Sequence, residues 1–357
     1  MVFKSVPKYS LSPINRLGAL IAAAFIVEVI TGSIILLSYD ATPQGAFVSL
    51  WEMAGRAPFG GFIVTLHLYT AYAMVLLAFL HLARGYFLTA YAKPRGFMWV
   101  AGLVLGVIVV ASSFTGSLLI WTPASKAVFS DFIEALGSVG LGSVAAFLFG
   151  QGADEATLSA LTKTHVGTLT LGFIVLLGLK AVMRFRYGPF KPEDRYPDPH
   201  AEEREHLVPW YPSVVAQLLA MVSVFVAVLA TLSALFPLTL PSLEASESYA
   251  LQPAWYAIWY GQLSRTVGSA APFIVAIALL LIILLPLLDR ARAKHPALRP
   301  LHTTLGALLI VEVVILVISA YVAPAEASTG GGAVVALGLP VLAAAAYAFY
   351  RIRRGGT

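Results

Sequence analysis

The chain contains no cysteine and few charged residues, and both absences narrow its class. None of its 357 residues is cysteine, which excludes disulfides, thiolate metal sites, iron-sulfur clusters held by this chain and thioether-linked cofactors. Charged residues make up only 11% of the sequence, whereas globular proteins carry about 25%. With 59% hydrophobic residues and a mean hydropathy of +0.84, the sequence predicts an all-α integral membrane protein.

Eight apolar runs are long enough to cross the roughly 30 Å hydrocarbon layer of a membrane, which takes about 18 residues or more of helix. They lie at about 16–38, 62–86, 98–120, 164–184, 213–236, 270–288, 302–322 and 333–350. Residues 1–16 are polar and broken by proline, so we expect no cleaved signal peptide. An even number of spans places both termini on the same side of the membrane.

Basic residues are distributed unequally between the two sides of these spans. Eighteen Lys and Arg residues fall on the side of the termini, and four fall on the other side: Arg56, Lys126, Lys163 and Arg265. This bias predicts cytoplasmic termini and a location in the cell membrane. The net charge of +5 follows from the same asymmetry and indicates no nucleic-acid partner.

A charged, proline-rich stretch at 187–212 divides the chain and is a predicted cytoplasmic linker. It separates an N-terminal four-helix bundle at 1–186 from a C-terminal four-helix region at 213–357. Two external connections are long: 121–163 contains an amphipathic stretch at 125–136, and 237–269 contains an aromatic cluster at 252–256. Aromatic residues are common at this interfacial depth of a membrane.

Three of the seven histidines lie within predicted spans, and all three are in the N-terminal half: His67, His81 and His165. A lone intramembrane histidine is more often a hydrogen-bonded packing residue than a metal ligand, but three in one four-helix half favour ligation. His67 and His81 are fourteen residues apart, which in an α-helix is about 21 Å and about 40° short of four full turns. They therefore share one helix face at two membrane depths.

The spans on either side of this histidine pair carry glycines with the same fourteen-residue spacing, Gly18/Gly32 and Gly102/Gly116. Glycine has no Cβ, so the edge of a flat cofactor can approach its backbone closely. Small residues are also common at ordinary helix contacts in membranes. Two matching pairs beside the histidine pair nevertheless favour two flat cofactors stacked across the membrane.

Several segments resemble cytochrome b of the quinol-oxidising bc-type complexes, and the resemblance extends over most of the chain. It implies an oxidoreductase subunit with two haems, of b type or a modified a or o type, and quinol as substrate. In the C-terminal half, Pro-Ala-Trp-Tyr at 253–256 resembles the PEWY motif of that family. In the N-terminal half, four segments resemble the haem-binding half of that family: 17–20, 30–32, 81–86 and 116–121.

The resemblance implies that the second and fourth spans each provide two axial haem ligands. His67 and His165 would bind a haem near the outer face, and His81 would bind one near the cytoplasmic face. Where relatives have a second inner histidine, fourteen or fifteen residues after His165, this chain has Leu179 and Lys180.

Lys180 has two opposed interpretations. A neutral Lys180 amine bound to iron would avoid the cost of a buried charge. Alternatively, Lys180 extends to the cytoplasmic interface, and the inner site holds haem through His81 alone or stays empty.

The predicted quinol-oxidising side departs from the family at its proton acceptor. The glutamate of the motif is replaced by Ala254, so proton acceptance would move to another group. Glu244, Glu247 and Tyr256 are the candidates, although Tyr256 also suits an interfacial anchor or a pocket wall.

Other charged positions near the predicted haems are functional candidates. The arginine that the family has three residues before the outer histidine is Val64 here, whereas Arg84, three residues after His81, is a candidate partner for a haem propionate. Glu28 and Glu312 lie in mid-span, where a carboxylate must pair or stay protonated. We expect Glu28, four residues before Gly32, to conduct protons or to hydrogen-bond a haem group.

These features predict a membrane electron-transfer subunit of a Rieske/cytochrome b complex. Quinol would give one electron to a Rieske iron-sulfur protein and the other to the outer haem, from which it would pass to the inner haem and then to quinone. The downstream acceptor would be a cytochrome, a copper protein or a terminal oxidase, and the resemblance implies a dimer of complexes.

Two alternatives stay open. Because Ala254 replaces the motif glutamate, the chain suits a divergent haem b quinol dehydrogenase, or an anchor subunit of another oxidoreductase or oxidase, that does not split the two electrons between acceptors. The second alternative is a haem-free transporter that uses its intramembrane histidines and glutamates for proton coupling.

Overall fold

The computed structural model describes residues 5–7, 11–187, 207–240, 254–289, 296 and 299–322. The predicted eighth span at 333–350, most of the predicted linker, Glu244 and Glu247 lie outside these residues. The described helices are α1 (Leu17–Leu36), α2 (Gly45–Arg56), α3 (Gly60–Phe87), α4 (Gly96–Leu118), α5 (Pro123–Ser138), α6 (Gly142–Phe149), α7 (Glu155–Lys163), α8 (Thr170–Tyr187), α9 (Val215–Leu235), α10 (Ile258–Val267), α11 (Ala271–Leu288) and α12 (Pro300–Val322).

Seven helical segments within the described residues are long and apolar enough to cross a membrane. They correspond to the first seven predicted spans and confirm the all-α membrane fold. The fourth begins earlier than predicted, because α7 continues into α8 through a π-helical turn, Thr164–Leu169. The segments are Pro13–Leu36, Gly60–Phe87, Gly96–Leu118, Glu155–Arg186, Trp210–Leu235, Ile258–Leu288 and Pro300–Val322.

Three buried threonine hydroxyl groups of the spans are hydrogen-bonded within their own helix. Thr31, Thr65 and Thr115 each donate to the carbonyl four residues earlier, at 2.6–2.7 Å. A hydroxyl that is bonded in this way can still accept a hydrogen bond through its oxygen. The threonines therefore place acceptors inside the bundle without leaving unpaired donors in hydrocarbon.

An apolar layer lies midway along the N-terminal bundle. Phe25 of α1 stacks on Phe173 of α8, with ring centroids 4.2 Å apart. On α1, α3, α4 and α8, the members of this layer lie in the sequence between the two paired glycines, or the two candidate ligands, of that helix. Its buried members are Ile21, Ala24, Met74, Val75, Ala78, Leu105, Val109, Phe173 and Tyr256.

The start of the chain packs beside the start of α9. The strand Ser5–Pro7 (β1) pairs antiparallel with Leu207–Pro209 (β2), and the Gln217 amide donates to the Leu11 carbonyl at 2.6 Å. The first and fifth spans thus begin on the same side, as consecutive crossings require.

The connection at 121–163 contains three helices, α5, α6 and α7, that pack over the ends of the spans. The predicted amphipathic stretch at 125–136 is part of α5, with Phe129 buried on its inner face. Phe129 belongs to a buried cluster with Leu118, Trp121, Phe149 and Leu158. This apolar cap closes the end of the bundle at which His67 and His165 lie.

Candidate functional site

Two of the predicted ligands, His67 and His165, face each other near this capped end. His67 belongs to α3, and His165 belongs to the π-helical turn between α7 and α8. Their ring centroids are 6.4 Å apart and the ring planes are inclined by 79°. Imidazole nitrogens bind metal ions at about 2.0–2.1 Å, so two imidazoles on opposite sides of one ion have centroids about 6 Å apart. The spacing therefore fits two histidines that would hold a single metal ion between them.

Hydrogen bonds at Nδ1 determine which nitrogen of each ring is free to coordinate. The Thr31 hydroxyl lies 2.9 Å from Nδ1 of His67, and the Thr115 hydroxyl lies 3.1 Å from Nδ1 of His165. Both hydroxyls already donate to main-chain carbonyls, so each accepts a hydrogen bond from the Nδ1 N–H group of its histidine. This tautomer leaves Nε2 of both histidines with a free lone pair, which is the form that binds a metal.

The outer glycines lie directly against these two rings. A Cβ at Gly32 would be 3.1 Å from Cε1 of His67, and a Cβ at Gly116 would be 2.9 Å from Cε1 of His165. Both distances are shorter than ordinary van der Waals contact, so a side chain at either position would displace a ligand ring. Each glycine directly follows the threonine that hydrogen-bonds the same histidine. The dipeptide Thr-Gly therefore lies once beside each of the two rings.

The inner glycines lie beside the other two candidate ligands, at an ordinary van der Waals distance for Gly18 and a shorter distance for Gly102. A Cβ at Gly18 would be 3.7 Å from Cε1 of His81, and a Cβ at Gly102 would be 2.9 Å from Nζ of Lys180. Lys180 therefore points into the bundle at the level of Gly102. It is also among the charged groups close enough to His81 to interact electrostatically.

Lys180 is the inward-facing residue of the Leu179/Lys180 pair because of the π-helical turn that contains His165. Such a turn accommodates one more residue than the α-helical turn that it replaces. Fifteen residues that include it therefore return to the same helix face, as fourteen residues do between His67 and His81. Leu179 faces away and is 37% exposed.

The inner site differs from the outer one in its polar partners. The position before Gly18 is Leu17 and the position before Gly102 is Ala101, so neither inner glycine has a threonine beside it. Nδ1 of His81 is buried and has no hydrogen-bond partner among the described residues.

Three arginines lie at the end of this inner site where α1 begins. Arg84 donates through Nη2 to the side-chain oxygen of Asn15. Arg16 is only 8% exposed, and two of its guanidinium nitrogens are buried without an acceptor among the described residues. Arg184 is close enough to Arg16 and to His81 to interact electrostatically. Clustered guanidinium groups with spare donors fit the carboxylates of an anionic cofactor edge.

Glu28 lies beside the outer ligand. Its Oε2 is 2.9 Å from Nδ1 of His67, and its side chain is 15% exposed. Glu28 thus contacts a candidate ligand directly, and its role in conducting protons or in hydrogen-bonding a haem group stays a prediction.

Among the residues predicted on the quinol-oxidising side, the structure describes Tyr256 and Ala254. Tyr256 is 8% exposed, packs edge-on against Tyr72 of α3 at 6.1 Å and lies beside Ser113 of α4. Burial raises the pKa of Tyr256 to about 12, so its phenol is neutral and suits a hydrogen-bond donor better than a proton acceptor. Ala254 packs against the same layer, and Glu244 falls outside the described residues.

Sequence reasoning missed Thr31, Thr115 and Arg16. The first two had a usable signal, because each directly precedes one glycine of the outer level. Arg16 precedes Gly18 by two residues and was counted only as a cytoplasmic flanking charge. Its burial depends on the packing of α1 against the other spans, which no local pattern reveals.

Comparisons with known proteins give family matches over most of the chain. Residues 72–242 match the family model described as cytochrome b (N-terminal)/b6/petB, and residues 244–338 match that described as cytochrome b (C-terminal)/b6/petD. The first match includes His81, His165 and Lys180.

Individual relatives agree with these matches. Cytochrome b of Sulfolobus acidocaldarius is 27% identical over 373 aligned positions, which cover 94% of this chain and 66% of that protein. Cytochrome b6 of Heliobacterium mobile is 33% identical over 176 positions, covering 48% of this chain and 83% of that protein. The chain thus spans about two thirds of the length of the Sulfolobus protein.

A solved structure has the same fold. A chain of a structure described as a hyperthermophilic respiratory complex III superposes with a TM-score of 0.81 at 23% identity. The superposition covers 97% of this chain and 92% of that chain.

Proposed function

The chain belongs to the cytochrome b family, and from that premise we propose that it is a di-haem subunit carrying electrons from quinol across the membrane. The observation that carries the proposal is the pairing of four glycines with four candidate ligands, two at each of two levels. Fourteen residues of α-helix separate the levels by about 21 Å. Two levels at that separation divide the crossing of the membrane into two short electron transfers.

The outer level binds its haem through Nε2 of His67 and His165. Thr31 and Thr115 hold the two rings in the coordinating tautomer, while Gly32 and Gly116 leave room for them. When bound, haem supplies a reversible one-electron carrier, and the protein sets its potential through ligands, hydrogen bonds and burial.

The inner level binds its haem through His81 and the neutral amine of Lys180. The contact of Lys180 with Gly102 supports this assignment, because His67 and His165 meet their own glycines in the same way. Arg84, Arg16 and Arg184 are placed to neutralise haem propionates at the cytoplasmic end. Coordination to iron also removes the cost of a charged lysine in hydrocarbon.

Replacing Lys180 tests the inner site. In Lys180→Leu we expect loss of one low-spin haem component and about half of the haem per chain, because only the inner level loses a ligand. The matched control is the double variant L179K/K180L, which keeps the lysine one position earlier. Since Leu179 faces outward, we expect this variant to lose the same component. Unchanged haem content and spectrum in Lys180→Leu would exclude Lys180 as a ligand.

The partners and topology that we propose follow from the family. They are a Rieske iron-sulfur protein, a downstream cytochrome, copper protein or oxidase, cytoplasmic termini in the cell membrane and a dimeric complex. Glu244 and Glu28 are the proposed proton-handling groups for quinol, and Tyr256 is a proposed hydrogen-bond donor to it. The two proposed units are the haem-binding bundle at 1–186 and the region at 213–357, joined by the linker at 187–212.

One observation favours a second candidate function. With Ala254 where the family motif has glutamate, the chain also suits a quinol dehydrogenase or an anchor subunit that passes both electrons the same way. Oxidant-induced reduction of haem in membranes containing the whole complex separates the two. Haem that becomes more reduced on addition of oxidant supports division of the two electrons, whereas haem that is only oxidised supports the second function.

A further inference from the structure

Glu28 is a largely buried acidic side chain inside the haem-binding bundle, and it contacts a proposed ligand. Its Oε2 lies 2.9 Å from Nδ1 of His67. Its Oε1 is buried and has no hydrogen-bond partner among the described residues. The contact with the imidazole is therefore the main polar interaction that the structure gives this side chain.

The position is special among the four equivalent ones. Glu28 stands four residues before Gly32, and the residues four before the other three paired glycines are Ile14, Met98 and Ser112. Only one of the four proposed ligands therefore has a carboxylate at this offset. At the inner level, the equivalent positions Ile14 and Met98 both lack a carboxylate. The difference therefore lies between the two ligands of the outer level, since Glu28 and Ser112 hold the equivalent positions there.

Two side-chain acceptors, Thr31 and Glu28, share the single Nδ1 N–H group of His67. Thr31 lies at 2.9 Å, the same distance as Glu28, whereas on His165 the only side-chain acceptor among the described residues is Thr115, at 3.1 Å. A hydroxyl orients the ring, but a carboxylate also draws the Nδ1 proton toward itself. A metal-bound imidazole that donates to a carboxylate becomes a stronger electron donor.

We propose that Glu28 is a positioning residue that accepts the Nδ1 hydrogen bond of His67 and lowers the reduction potential of the outer haem. A more basic ligand and a nearby negative charge both stabilise the oxidised iron relative to the reduced iron. Electron transfer from the outer to the inner level then becomes more favourable. The inference rests on the proposed function, because it requires a haem at the outer level.

Glu28→Gln tests this inference, because the amide keeps a hydrogen-bond acceptor of the same size and removes the charge. Redox titration of the purified complex at one fixed pH gives the potential of each haem, and the outer component is identified by its loss in His165→Ala. We expect the oxidised-to-reduced ratio of the outer haem at a given potential to fall on the order of tenfold. That change is an upward shift of about 59 mV for a one-electron couple.

Three comparisons make the result specific. The inner haem of the same sample should keep its potential, and Ser112→Ala, at the equivalent position on α4, should leave both potentials unchanged. Thr31→Val keeps the carboxylate, so we expect a smaller shift than in Glu28→Gln. If Glu28→Gln loses the outer haem, Glu28→Asp decides, because its shorter carboxylate should raise the outer potential partially.

The contradicting outcomes are distinct from failure of the proposed function. An outer potential that is unchanged in haem-loaded Glu28→Gln, or in Glu28→Asp where that variant decides, overturns the role of Glu28. An equal shift of both haems, or a larger shift in Thr31→Val than in Glu28→Gln, does the same. A wild-type protein without haem would instead overturn the proposed function.

Discussion

At the scale of single residues, Thr31 and Thr115 perform one task on opposite sides of the outer site. Each hydroxyl donates along its own helix and accepts from a histidine, so the orientation of the ring is tied to the backbone of α1 or α4. Such outer partners of a metal ligand fix both its tautomer and its direction. The inner His81 has no equivalent partner among the described residues.

Thr115→Val should weaken the outer site by removing the acceptor of the His165 Nδ1 proton. Loss of such a partner weakens metal binding by about 10–100-fold, so we expect faster loss of one haem component to an excess of a haem scavenger. Thr70→Val is the matched control, since Thr70 is equally buried in α3 and its hydroxyl has no partner among the described residues. Equal rates of haem loss in the two variants would show that Thr115 does not support haem binding at the outer site.

At the scale of elements, the π-helical turn Thr164–Leu169 sets the register of α8. It places His165 opposite His67 and turns Lys180 inward fifteen residues later. Spacing in the sequence does not show which of Leu179 and Lys180 faces inward, because the i+5 bonding of a π-helical turn has no recognisable pattern in Thr-His-Val-Gly-Thr-Leu. The spacing of His67 and His81 was predictable, because α3 is a regular helix over both residues.

A polar cluster joins the α3–α4 loop to α11 and α12. Tyr91 is 1% exposed, donates to Asp289, lies 2.7 Å from Nε2 of His302 and accepts from Arg299 at 3.3 Å. Arg299 also pairs with Asp289 at 2.5 Å. Burial raises the pKa of Tyr91 above its usual value, so the phenol keeps its proton and remains a donor to Asp289.

Tyr91→Phe should loosen the contact between the two halves without affecting haem ligation. The substitution leaves Asp289 and His302 each without one buried partner, which costs about 1–3 kcal/mol. We expect a lower midpoint of unfolding in detergent with unchanged haem content. Tyr321→Phe is the control, because Tyr321 is 56% exposed on α12. A midpoint as high as that of the control would show that the cluster does not stabilise the fold.

At the scale of the whole molecule, apolarity alone determines where the chain crosses the membrane, so the sequence predicted the spans that the structure describes. It also indicated His67, His81 and His165 as candidate ligands, because all three lie in spans of one half and two of them share a helix face; that role stays a prediction. Contacts between helices could not be predicted from the sequence in this way. The position of Glu28 against His67 and the burial of Arg16 both depend on how α1 packs, which periodicity within one helix does not encode.

The haem content of the purified chain, measured together with its visible and low-spin spectra, is the most direct test of haem binding at two levels. We expect two haems per chain, because four glycine-paired ligands form two levels. We also expect two distinguishable low-spin components, one with two imidazole ligands and one with an imidazole and an amine. A preparation without a Soret band would contradict the haem-binding role altogether. A single haem per chain, retained unchanged in Lys180→Leu, would contradict the second level.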